Sequence, residues 1–479
     1  MGRGEGVVIR AAVRALDQRS GAGSVLGKVL RYAFPDHWTF LFGEIALYSF
    51  LVLVATGIYL TLFFEPSSST IVYHGSYAPL QGQEMSKAYA SALNLSFDVR
   101  AGLLVRQAHH WAALVFVAAI VVHLMRIFFT GAFRKPRDLN YFVGLTMLVL
   151  AVVEGYAGYS LLDDLLSGMG LAIGNAVALS IPGVGGQLGT LIWGGRFPGT
   201  DAFFSRLYIA HVLIFPVLIG TLMTLHLALV ALPHHTQFRG RRRSERNVIG
   251  TPLWPGYAAR SLGLFFSVAA VLFALGGLVQ INPIWQWGPY EPYLGTNGAQ
   301  PDWYLGWLIG ALRLMPHFDV VIGNYTLVPN PFWGGVLFPA VVFGFLYLWP
   351  AIERRLDRDY APHNLLDRPR DNPRRTAVGA ALFTWVATIF FAGAADRAFV
   401  QLGVPYEGQL WGYRAAAIVL PVAVYFLTRR VCERLRESEA HPGQGSGAQP
   451  LVRNREGGFE PARMSGPGGP AGVARRDRG

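Results

Sequence analysis

Four of the twelve histidines lie in apolar stretches at matched spacings. His109 and His123 are 14 residues apart, and His211 and His226 are 15 apart. At about 1.5 Å rise per residue, each pair spans about 21–23 Å of helix axis. Four helical turns take about 14.4 residues, so both members of a pair face nearly the same way. Two such helices side by side set one histidine opposite another near each membrane face. Each facing pair can hold an iron from both sides. The pattern therefore reads as two stacked haems across a hydrocarbon core about 30 Å thick.

Glycines repeat the same period. Gly43 and Gly57 are 14 apart, as are Gly144 and Gly158. A flat porphyrin edge needs a neighbouring helix with no side chain at its level, which glycine supplies. Small residues also serve plain helix packing in membranes. The shared period favours the haem reading. Arg106, Arg126 and Arg206 stand three to five residues from a histidine, near the ends of the apolar runs. They suit the carboxylates of a haem; snorkelling to the membrane surface is the plainer alternative.

The elements that must position these residues are membrane helices. Of 479 residues, 52% are hydrophobic and 15% charged, against about 25% charged in soluble domains. The apolar residues form eight runs: 40–64, 106–130, 139–162, 207–232, 260–281, 332–350, 376–396 and 411–430. The expected fold is an all-α integral membrane protein whose first four of eight helices form a di-haem four-helix bundle. The net charge of +12 points to membrane topology and not to nucleic acid, because the basic residues cluster in alternate loops. Arg134–Arg137, Arg239–Arg246 and Arg354–Arg375 fall on one side with both termini, which the positive-inside rule makes cytoplasmic. The expected organisation is an N-terminal cytoplasmic segment 1–39, a di-haem bundle 40–235, a basic linker 236–259, a second helical half 260–431 and a disordered basic tail 432–479. No cleavable leader is expected, and the first apolar run should remain in the membrane. The single cysteine, Cys432, excludes an intramolecular disulfide and a Cys-x-x-Cys-His haem attachment.

The segments Arg106-Gln107-Ala108-His109-His110-Trp111, His123-Leu124-Met125-Arg126 and Ser205-Arg206-Leu207-Tyr208-Ile209-Ala210-His211 carry a family resemblance over roughly residues 32–430. The chain resembles cytochrome b of the quinol–cytochrome c oxidoreductases. Phe133-Arg134-Lys135-Pro136-Arg137 and the 15-residue spacing resemble the plastid-type proteins. The unsplit chain and Phe34-Pro35-Asp36-His37-Trp38 resemble the actinobacterial form. The resemblance implies that His109 and His211 ligate a low-potential outer haem, and that His123 and His226 ligate a high-potential cytoplasmic one. It selects His109 over the adjacent His110, whose 13-residue spacing to His123 also turns it off the shared face. Leu41 stands where plastid-type relatives carry a cysteine with an extra covalent haem, so only two non-covalent b haems are expected.

Pro301-Asp302-Trp303-Tyr304 stands where the family usually has Pro-Glu-Trp-Tyr, at the quinol oxidation site. Quinol oxidation releases two protons, and a carboxylate such as Asp302 can accept one. Tyr304 is expected beside it and Trp303 at the quinone. Leu162 replaces a frequent family proline after Gly155-Tyr156-Ala157-Gly158-Tyr159. Residues 181–204 are expected to form a short hairpin over the pocket. Quinone reduction is expected on the cytoplasmic side, where Asp36, His37, His234 and His235 are either proton donors or solvated interfacial groups.

The resemblance implies a proton-translocating quinol–cytochrome c reductase subunit in a bacterial cell membrane. Its implied partners are a Rieske iron–sulfur protein, a c-type cytochrome subunit, a terminal oxidase and a second copy of the complex. An actinobacterial source would suit menaquinone. The rival readings are the di-haem anchor of another quinone-linked oxidoreductase and a haem-free transporter.

Overall fold

The computed structural model describes residues 27, 29–295, 300–394 and 396–440, with the short pieces 451–453 and 459–461. Residues 1–26 of the expected N-terminal segment and most of the expected tail lie outside the described residues. The protein is all-α: among the described residues, eight helices are long and apolar enough to cross a membrane. Among the described residues, strands occur only as ladders two to four residues long. The spans are Trp38–Thr61, Gly102–Thr130, Asp138–Ser160, Ala202–Ala231, Leu253–Leu278, Trp333–Asp357, Pro373–Ala394 and Tyr406–Glu439.

Most helices outrun the apolar runs. Hydropathy marks the hydrocarbon slab, whereas backbone groups must stay paired into the interface. The sixth span passes through Pro350 to Asp357, although the apolar run ends at the proline. The eighth continues to Ala440, so residues 432–440 are helix and not tail. Glu439 there bonds Arg368 at 2.7 Å, which gives the charged end a partner.

The ends of the bundle are knitted differently. At the basic end, the loops after spans two, four and six bind one another. Arg137 donates to the carbonyls of His234 and His363, each at 2.7 Å. Gln237-Phe238 pairs with Leu365-Leu366, and Ala33-Phe34 with Thr251-Pro252. Residues 236–259 are therefore a bound strap, and their last part, Leu253–Tyr257, begins the fifth span. Below them Arg375 is buried, with its Nε 3.0 Å from Glu353 and its Nη1 3.0 Å from Asp367.

At the opposite end, the Gln107 amide exchanges two hydrogen bonds of 2.9 Å with the Ile281 backbone. That pins span two to the loop carrying residues 301–304. The hairpin expected at 181–204 consists of Leu165–Leu179 and Gly185–Trp193, so it starts earlier than residue 181. Its first arm opens on a capping box between Asp164 and Ser167, a start signal in a segment that otherwise reads as a loop. Between the two ends, spans two, three and six pack a common core around Phe116, Val117, Leu145, Leu148 and Leu346.

Candidate haem and quinol sites

Spans two and four bring the histidines face to face. The His109 and His211 ring centroids are 6.3 Å apart, and those of His123 and His226 are 6.4 Å apart. With a metal–nitrogen bond of about 2 Å and a ring radius of about 1.2 Å, two axial imidazoles stand about 6.4 Å apart. Both gaps therefore fit one iron. The fourth span reaches this register through a wide π-type turn, Ala210–Ile214, that contains His211.

Each glycine faces one of these rings. A Cβ would lie 3.3 Å from His109 at Gly57, 3.1 Å from His123 at Gly43 and 3.3 Å from His226 at Gly144; at Gly158 it would collide with His211. These are contacts that side chains rarely tolerate. Around the first pair, a cavity of about 570 Å³ is lined by Gly57, Gly158, Arg106, His109, His211 and Asp302 among others. Arg106 is buried and Arg126 half-buried, and the buried Nε and Nη2 of each lack a hydrogen-bond partner. Buried guanidinium donors without partners are costly, so a carboxylate-bearing ligand suits them. Arg206 differs: its side chain is exposed and donates to the Leu191 carbonyl at 2.9 Å. The structure does not bring it to the cavity. Thr56 Oγ1 lies 2.8 Å from His109 Nδ1, which fixes that ring and leaves Nε2 for a metal.

The same cavity reaches Asp302, His110 and Tyr304. Asp302 Oδ1 is 2.7 Å from His110 Nε2, and Oδ2 accepts from the Tyr304 hydroxyl at 3.0 Å. Burial, reinforced by Asp302, holds the Tyr304 phenol well above its ordinary pKa, so it stays a hydrogen-bond donor. Trp303 points away and is 38% exposed. His110 is thus a partner of Asp302, a role that its place beside His109 did not disclose. Glu154 was also missed; its Oε1 is 3.0 Å from His211 Nδ1. A carboxylate in an apolar span is functional by default, and that signal was present.

The candidates for quinone reduction are scattered over the basic end. His235 Nδ1 is 3.1 Å from the Tyr32 hydroxyl, and the exposed His234 stacks on Tyr32. Burial, with Arg137 and Arg126 nearby, pulls His235 down to about 4, so at neutral pH it is uncharged. Asp36 is exposed and paired with Arg260 at 2.8 Å. His37 Nδ1 contacts Thr39 Oγ1 at 2.8 Å, capping the turn that opens span one.

A bundle with facing imidazoles, glycine clearances and buried arginine donors defines a membrane protein of the haem-binding, electron-carrying class. Comparison with known proteins narrows it. Residues 114–289 match the family model described as cytochrome b (N-terminal)/b6/petB. The cytochrome bc1 complex cytochrome b subunit of Mycobacterium leprae is 47% identical over 91% of this chain and 78% of its own length. The subunit of that name from Streptomyces coelicolor is 45% identical over 88% of this chain and 77% of its own. A solved structure titled hyperthermophilic respiratory Complex III shares the fold, with a TM-score of 0.65 at 20% identity over 88% of this chain and 99% of its own. The chain belongs to the cytochrome b family and is strongly similar to actinobacterial cytochrome bc1 complex cytochrome b subunits.

Proposed function

We propose that this chain is the di-haem subunit of a bacterial respiratory quinol–cytochrome c oxidoreductase, with both termini in the cytoplasm. The observation that carries the reading is the joining of one facing histidine pair to the Asp302–His110–Tyr304 group through a single cavity. Haem held by His109 with His211 and by His123 with His226 would carry single electrons between the two membrane faces. Arg106 and Arg126 would neutralise its carboxylates.

Quinol oxidation gives quinone, two protons and two electrons. Asp302 accepts one proton from a quinol hydroxyl as its general base. Tyr304 and His110 each hold one carboxylate oxygen, which orients the group toward the cavity. One electron leaves to a Rieske iron–sulfur protein and then to a c-type cytochrome. The other would cross the bilayer to the basic end, where two such electrons, from two quinols oxidised, reduce one quinone to quinol. Protons emerge outside and are taken up inside, and the native complex is a dimer in contact with a terminal oxidase. Menaquinone is the quinone that fits relatives of this kind.

The test is quantitation of b-type haem in the purified complex, with covalent haem assigned to its own polypeptide after denaturing electrophoresis. Two haems per chain, all removed by acid–acetone, are expected. One per chain, or haem left on the polypeptide, overturns the reading.

A further inference from the structure

Span one carries a carboxylate in its membrane half nearest the basic loops. Glu44 follows Gly43, the residue whose clearance accommodates His123. One residue along a helix turns the side chain by about 100°, so Glu44 sits at the depth of the His123–His226 pair and faces elsewhere. It faces span five. Its Oε1 accepts from the Tyr257 hydroxyl at 2.6 Å, and its Oε2 accepts from Ser261 at 2.7 Å and from Tyr48 at 3.3 Å. Tyr48 and Ser261 also touch each other. A carboxylate at this depth is expensive, and three hydroxyl donors are the means by which it is tolerated.

Two lines of contact lead from the cluster toward the basic end. Tyr257 stacks on Phe34 at 3.9 Å, and Phe34 packs against His235 at 4.7 Å. On the surface above, Asp36 bonds Arg260, the neighbour of Ser261, and Thr251 at 2.7 Å. Titratable groups at hydrogen-bond distance from Glu44 are Tyr48 of its own span and Tyr257 of span five. Asp36, Arg260 and His235 stand one step further out.

From this arrangement we infer that Glu44, held by Tyr48, Tyr257 and Ser261 between spans one and five, hands a proton to the quinone reduced at the basic end. The inference rests on the proposed quinone reduction at that end. Quinone takes up two electrons and two protons to become quinol. Glu44 as the acid gives one proton to a quinone oxygen, becomes the carboxylate stabilised by the three hydroxyls, and is reprotonated from the Asp36 side. A purely architectural role, clamping span one to span five, would need the hydrogen bonds and not the proton.

Glu44→Gln separates the two, since glutamine keeps the size and an acceptor oxygen but gives up the ionisable proton. In the assembled complex, the outer site is disabled by Asp302→Asn together with His110→Leu, menaquinol is added, and reduction of the haem at His123 and His226 is followed optically over pH 6–9. Glu44→Gln is expected to slow this reduction about 10²-fold, within the range for a positioned acid–base group. Two haems per chain should be retained. Glu44→Asp should recover most of the rate. An unchanged rate and pH profile in Glu44→Gln overturns the inference. So does loss of haem from that variant, which makes Glu44 architectural. If the complex with native Glu44 shows no quinol-driven haem reduction with the outer site blocked, the quinone-reduction reading fails first, and this outcome is distinct from the other two.

Discussion

Asp302→Asn should slow quinol oxidation about 10²-fold, a barrier increase of about 2.7 kcal/mol. The structure isolates the chemical effect. Asp302 is tied to His110 at 2.7 Å and Tyr304 at 3.0 Å. Asparagine can keep both ties, with its oxygen accepting from Tyr304 and its amide donating to an unprotonated His110 Nε2. The hydrogen-bond count is preserved, so the cost in stability should stay below about 1 kcal/mol. What disappears is the carboxylate as a proton acceptor. The loss should fall at the lower end of the range for a general base because His110 leaves a basic nitrogen at the same place. Asp302→Glu, which lengthens the arm by one methylene, should retain substantial activity. The assay is steady-state quinol–cytochrome c reduction by the assembled complex, with haem measured on the same samples. Full activity in Asp302→Asn removes Asp302 from the mechanism. Loss of haem in that variant refutes the separation of proton site from ligands.

Substitution of adjacent histidines should have different consequences. His109→Leu should lose one haem per chain, whereas His110→Leu should keep both and lose quinol oxidation, as read by haem spectra beside turnover. Arg375→Met leaves the buried Glu353 without its cation, while Asp367 keeps Arg134 at 3.0 Å, and should destabilise the protein by about 3 kcal/mol, measured by thermal unfolding in detergent. Burial lifts Asp163 from its ordinary 3.8 to about 7. Folding therefore favours its protonated form, and its contribution is full below about pH 4 and is lost as pH rises through about 7. Asp163→Asn, compatible with the positive φ of 52° at that position, should gain thermal stability relative to the native chain between pH 5 and pH 8.

Much of the architecture was legible because a bilayer imposes simple rules. Long apolar runs must be helices, and the spacing of His109, His123, His211 and His226 maps directly onto their faces. The glycine period, read as clearance for a porphyrin edge, corresponds in the structure to clearance for the histidine rings themselves. Helix ends were less legible, since Glu353, Arg354 and Arg429–Glu439 are helical beyond the apolar slab. Partners across long sequence separations were not legible. His110 and Asp302 are 192 residues apart, and only the fold determines that they meet. Arg206 shows the opposite error: nearness to His211 along the chain did not direct its side chain toward the cavity. Glu44 and Glu154 were not singled out, although carboxylates within apolar runs are a signal by type, and their partners could not be read without the packing of spans one, three, four and five.

The wide turn at Ala210–Ile214 bears on how the chain can change length. An added residue in a regular helix rotates everything after it by about 100° and advances it by about 1.5 Å. Fourteen regular steps return a side chain to within about 40° of its starting direction, whereas fifteen overshoot by about 60°. The π-type turn confines the surplus residue to one loop of backbone, so the remaining fourteen steps match those of span two. The two helices therefore stay in phase despite unequal counts. Removing a single residue from 212–214 should tighten this turn to an ordinary one without rotating His226 away from His123. The same deletion a few turns later, between 218 and 225, would turn His226 toward lipid. The fourth span thus has one place where its length is negotiable, and that place adjoins a ligand.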